Sequence, residues 1–106
     1  MRLTVTAHVP TQQVEARRKV QTAQPPLFKV LMHNDDYSTM EFVVEVLRSV
    51  FHKSEQEAEQ IMLTIHHKGF GLCGIYPFAV AETKVLRVHA LAQAQGYPLR
   101  CSLELA

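Results

Sequence analysis

LFKVLMHNDDYSTMEFVVEVLRSVF, residues 27–51, contains a change of period that decides the fold. Its first seven residues, LFKVLMH, are mainly apolar and read as a well-buried strand. From Met40 the apolar positions Met40, Val43, Val44, Leu47, Val50 and Phe51 recur in steps of three and four, which defines one face of a helix. Thr39 or Ser38 can cap its start, and Glu41 favours its first turn. Between strand and helix, His33-Asn34-Asp35-Asp36 crowds polar groups into a handover loop. Such a loop can build a turn, bind a metal, perform acid–base chemistry or hold a cation. The stretch alone leaves all four readings open.

Working outward, the first helix ends near His52. Ser54 caps a second helix, with Glu57 completing a capping box three residues on. Ala58, Ile61, Met62 and Ile65 form its buried stripe, and Gly69 closes it. The short connection predicts an antiparallel helical hairpin. FGLCGIY, residues 70–76, reads as a second strand. A third helix is expected from about Phe78 to Gln95, ended by Gly96 with Pro98 beyond. In the last strand Leu99, Cys101, Leu103 and Leu105 alternate with Arg100, Ser102 and Glu104, so one face is expected inside and one in water. Upstream, Pro25-Pro26 divides the chain. Residues 1–24 read as a flexible N-terminal extension and residues 25–106 as one core domain. The class is α+β, of order β-α-α-β-α-β, with a three-stranded antiparallel sheet packed on three helices.

The 106 residues allow one modest core. A net charge of +1 argues against a partner bound through phosphate neutralisation, so no nucleic acid is expected. No apolar run approaches a membrane span, and the N-terminus lacks a signal-peptide core. Two cysteines, Cys73 and Cys101, are too few for a disulfide scaffold and are expected to be buried, inert thiols. The expected location is cytoplasmic.

Two places can carry chemistry: the handover loop, and His66 at the end of the second helix. Met62 and His66 are four apart and share a helical face. An antiparallel hairpin would bring Asn34, Asp35 and His66 together beside Met40, Val43, Met62 and Ile65, an apolar hollow with an acceptor-rich rim. The plainer readings are that Asn-Asp-Asp is turn chemistry, that His66 is a half-buried histidine, and that the methionines fill the core. A metal- or small-ligand-binding domain using His33, Asp35, Asp36 and His66, with His67 nearby for a metal, stays open as the alternative, although no HExxH, HxH or cysteine-pair spacing is present. No GxSxG turn, phosphate loop or dinucleotide fingerprint is present. A binding module without catalysis or cofactor is therefore expected.

PPLFKVLMHNDDYSTMEFVVEVL, MLTIHHKGFGLCGIY, VAETKV and YPLRCSLELA together resemble the bacterial ClpS adaptor family, over about residues 25–106. The resemblance implies a fold like the C-terminal domain of a ribosomal stalk protein. It also implies recognition of substrates with an N-terminal Leu, Phe, Tyr or Trp, delivered to the N-terminal domain of the ClpA unfoldase of the ClpAP protease. On this basis Asn34, Asp35 and His66 receive the α-amino group, with Asp36 supporting the loop or the peptide backbone. Met40 gates the pocket against β-branched side chains. Val43, Met62, Ile65 and Leu99 line it, and Ser38 forms its polar edge. Glu82, Thr83 and Lys84 are the implied unfoldase-docking residues. Three positions depart from the family pattern. Ser38 replaces a common Thr, Thr39 a common Pro, and Ala79 an acidic residue on the docking surface.

Overall fold

A computed structural model of the chain describes residues 25–106; the extension expected over residues 1–24 lies outside the described residues. The element order is β1 (Leu27–His33), α1 (Met40–Phe51), α2 (Glu55–Lys68), β2 (Phe70–Pro77), α3 (Phe78–Gln95) and β3 (Arg100–Leu105). The three strands form one antiparallel sheet in the order β2-β1-β3. The α+β reading and its order therefore hold, with β2 one residue longer than expected.

Local chemistry explains the helix boundaries. The Thr39 side chain accepts from the N–H of Phe42 and starts α1, while His52 ends it in the left-handed region at φ 56°. Ser54 and Glu57 form the expected capping box on α2. Gly69 and Gly96 close α2 and α3 at φ 93° and 76°, a conformation that costs glycine little.

The core lies between the helices and one face of the sheet. Val30 and Met32 of β1 meet Val46, Leu47 and Val50 of α1, Ala58 and Ile65 of α2, and Ala81, Val88 and Ala92 of α3. Val46, absent from the expected helical face, is fully inside, whereas Met40 of that face is 50% exposed. Two further expectations change. β1 is buried on one face only; Lys29, Leu31 and His33 lie on the half-open other face. In β3 the alternation fades toward its end, where Leu105 is 64% exposed.

Both thiols are buried and free. The Cys101 thiol beside Cys73 and the loss of solvent push the Cys73 thiol up, which keeps it protonated and unreactive. No helix among the described residues is long and apolar enough to cross a membrane.

Candidate functional site

The handover loop is built on Asp35. One carboxylate oxygen accepts from the N–H of Tyr37 at 2.8 Å and of Ser38 at 2.7 Å, and the other from the Ser38 hydroxyl at 2.7 Å. Part of the expected turn chemistry is therefore real. Partial burial acts to raise the Asp35 pKa, but the Ser38 N–H, the Ser38 hydroxyl and the Tyr37 N–H outweigh it and hold the carboxyl below its ordinary value. An ionised carboxylate offers about four acceptor positions. The three bonds within the loop leave capacity for one more donor.

One backbone bond closes the site. The N–H of Asn34 donates to the carbonyl of Gly69 at 2.9 Å, which ties the exit of β1 to the C-terminal cap of α2. It sets Asn34 beside the last turn of α2, where His66 sits. Asn34, Asp35, Asp36, Ser38 and His66 then share one hollow of about 270 Å³ with Met40, Val43, Met62 and Ile65. Every residue placed there by antiparallel packing is present. Val43 and Ile65 are buried, so they form its inner wall, whereas Met40 stands half-exposed at its edge.

Gly71 was missed from sequence. A Cβ on it would lie 2.8 Å from the Ile65 side chain and 3.4 Å from the Ile61 carbonyl. A side chain here would force the Ile65 side chain, part of the hollow's wall, to shift. A glycine inside a strand pattern is the available signal of such contact.

Other expected site residues lie elsewhere. Leu99 is in the core and does not line the hollow's open surface. Glu82 and Thr83 are exposed on α3, where the Thr83 hydroxyl donates to the Ala79 carbonyl at 2.9 Å. Lys84 turns inward. Its Nζ donates to the Val50 carbonyl at 2.7 Å and lies 5.8 Å and 5.2 Å from the ring centroids of Phe51 and Tyr76. The metal set is not assembled either. His33 belongs to the open sheet face, where its Nε2 meets the Ser102 hydroxyl at 2.6 Å, away from the hollow. Burial, and then the charge of Arg100, lower the His33 pKa. Among the described residues no group of three His, Cys, Asp or Glu side chains is arranged to hold a metal ion.

The arrangement suits binding. It presents one ionised carboxylate with spare acceptor capacity, an amide and an imidazole above an apolar wall.

Comparison with known proteins identifies the family. The family described as "ATP-dependent Clp protease adaptor protein ClpS" matches residues 23–102. The ClpS adapter of Shewanella halifaxensis is 52% identical over 95 residues, covering 90% of this chain and 93% of that protein. The ClpS adapter of Desulfatibacillum aliphaticivorans is 59% identical over 83 residues, covering 78% and 80%. Among solved structures, Agrobacterium tumefaciens ClpS2 bound to L-phenylalaninamide superposes with a TM-score of 0.76 at 36% identity, covering 78% of this chain and all of that one. Members of this family are substrate adaptors and not catalysts. The chain belongs to the ClpS family of Clp protease adaptors.

Proposed function

We propose that the hollow receives the free α-amino group and first side chain of a protein bearing an N-terminal Leu, Phe, Tyr or Trp, and that the chain delivers such proteins to the ClpA unfoldase of ClpAP in the cytoplasm. One observation carries this reading: an ionised carboxylate with a vacant acceptor position stands at the lip of an apolar hollow. An N-terminus is the one place in a protein where an ammonium and a side chain share a Cα. The ammonium would donate to Asp35, the Asn34 carboxamide and an unprotonated nitrogen of His66. The side chain would run between Val43, Met62 and Ile65. Asp36 would support the loop or meet the peptide backbone, and Ser38 would form the polar edge. L-Phenylalaninamide, bound by the Agrobacterium relative, combines a free amine with a benzyl side chain, which supports the same division of labour here.

Magnitudes explain the selectivity. A charge-assisted hydrogen bond contributes roughly 1.5–3 kcal/mol. Burying a Leu or Phe side chain contributes about 1.5–3 kcal/mol. Neither alone overcomes the cost of association, but together they do. An internal Phe supplies no ammonium and would cover Asp35 without a partner. Met40 at the edge would collide with a side chain branched at Cβ, so Ile and Val are rejected.

The docking surface proposed for the unfoldase is the exposed side of α3, with Glu82 and Thr83 beside Phe78, Val80 and Leu86. Lys84 supports it from below by bonding α1. Titration of fluorescent peptides that differ only in their first residue tests the pocket. Phe, Leu, Tyr and Trp should bind at about micromolar strength or better, while Gly and Glu should not. Equal binding of Phe and Gly peptides would refute the reading.

A further inference from the structure

The hollow is bounded from behind by a residue that does not line it. Ile65 lines the hollow, is 3% exposed and stands against Gly71, which lies outside the lining. Gly71 is therefore one side chain away from any group that enters the hollow. At about 270 Å³ the hollow is at the small end of the usual range of roughly 300–1,000 Å³ for ligand pockets. Displacing one wall residue removes a useful share of that space.

The surroundings of Gly71 fix which way the wall would move. On the strand side there is no slack. Gly71 pairs with Met32 of the central strand β1, and Met32 is wholly buried. Two residues earlier, the Gly69 carbonyl accepts from the Asn34 N–H, which holds β2 to the exit of β1. Along the helix there is none either. A Cβ on Gly71 would sit 3.4 Å from the Ile61 carbonyl and 3.5 Å from the Ile61 Cγ2, one turn before Ile65, so it would be seated between two turns of α2.

The atom it would strike is the Ile65 Cγ1, at 2.8 Å, in the middle of the side chain and not at its far end. A β-branched side chain is stiff at χ1, so this carbon does not swing aside freely. An ordinary contact begins near 3.4 Å, so Ile65 has to withdraw by about 0.6 Å or more. Ile65 belongs to the close-packed core cluster, where a displaced carbon meets other atoms at once. The hollow is the open volume beside it, and the side chain moves there.

We propose that Gly71 is a positioning residue for specificity. Having no side chain, it lets Ile65 lie back against β2 and keeps the hollow deep enough for the large aromatic first side chains, Trp above all. This rests on the reading of the hollow as the receptor for a first side chain. Gly71 itself touches no part of the peptide. It acts through Ile65 on side-chain size, and not on the amine, which is assigned to Asn34, Asp35 and His66 at the rim. Leu fits a shallower hollow; the longer and broader indole of Trp does not.

The test measures Kd by fluorescence anisotropy for peptides that differ only in a first Leu, Phe, Trp or Gly. They are titrated onto the parent, Gly71→Ala, Ile65→Val and the double variant, with cooperative thermal unfolding to verify each fold. Ile65→Val takes one carbon off the wall and makes room for what the new Cβ displaces. In Gly71→Ala the Trp peptide should lose about tenfold more affinity than the Leu peptide. In the double variant the preference for Trp over Leu should return close to the parent's and lie below that of Ile65→Val. The comparison of Ile65→Val with the double variant carries the test by itself if Gly71→Ala alone does not fold. Equal losses for Leu and Trp, or no loss for either, overturn the proposal; equal losses would point to a displacement of α2 as a whole. A parent that binds the Gly peptide as well as the Phe peptide would instead overturn the reading of the hollow. A parent that prefers Phe to Gly, with parallel Leu and Trp effects in the variants, overturns only the role of Gly71.

Discussion

Asp35→Asn isolates the charge that the pocket reading needs. The variant keeps one carbonyl oxygen, which can still accept from the N–H groups of Tyr37 and Ser38, now at 2.8 Å and 2.7 Å. Its amide nitrogen replaces the oxygen that accepts from the Ser38 hydroxyl at 2.7 Å, and that hydroxyl must rotate to become the acceptor. The loop thus retains most of its bonds and should lose about 1 kcal/mol, a Tm change of roughly 4–8 °C. Binding should suffer more. The ammonium loses its counter-charge and meets an amide donor, so the loss is the full charge-assisted bond, about 1.5–3 kcal/mol or roughly 12- to 150-fold in Kd. Fluorescence anisotropy with a Phe-start peptide reads Kd, and calorimetry of the free protein reads Tm. A Kd within about threefold of the parent, in a variant that still unfolds cooperatively, would refute the role given to Asp35.

Met40→Ala should admit peptides beginning with Ile or Val, measured by competition with the Phe-start peptide, while Tm changes little because Met40 is already half in water. Unimproved Ile and Val binding would remove its gating role. Lys84→Met keeps an apolar stem but removes the bond to the Val50 carbonyl and the charge beside Phe51 and Tyr76. It should cost about 2 kcal/mol, with Tm falling roughly 8–16 °C by calorimetry. A fall of less than about 3 °C would show that Lys84 bears no structural weight. Acid adds a sign-specific expectation. Because the Asp35 pKa is lower folded than unfolded, its bonds stabilise the fold above the unfolded value of about 3.9 and are lost as pH falls through the folded value. The stability gap between parent and Asp35→Asn should therefore narrow below about pH 4 in denaturant titrations; a gap constant down to pH 2 contradicts it.

Periodicity and capping made the fold legible. Steps of three and four marked α1, the Ser54–Glu57 pair marked the start of α2, and Gly69 and Gly96 marked two helix ends. The pattern failed where burial depends on what lies opposite. Leu105 keeps the strand alternation but stays exposed, and Val46 widens the buried face of α1 beyond a simple stripe. The site was half legible. Asn34, Asp35, Met62 and His66 could be drawn together from the hairpin and from family resemblance. The Asn34–Gly69 bond that joins them is made by backbone atoms, which no residue letter announces. The inward turn of Lys84 is likewise set by a carbonyl 34 positions earlier.

The central claim is that a free α-amino group, read together with its side chain, is what this pocket recognises. Titrating one Phe-start peptide and its N-acetylated twin tests it most directly. The account predicts micromolar or tighter binding for the free amine and at least about a hundredfold loss on acetylation, since the ammonium disappears and Asp35 is covered without a partner. Equal affinity for the two peptides would contradict it.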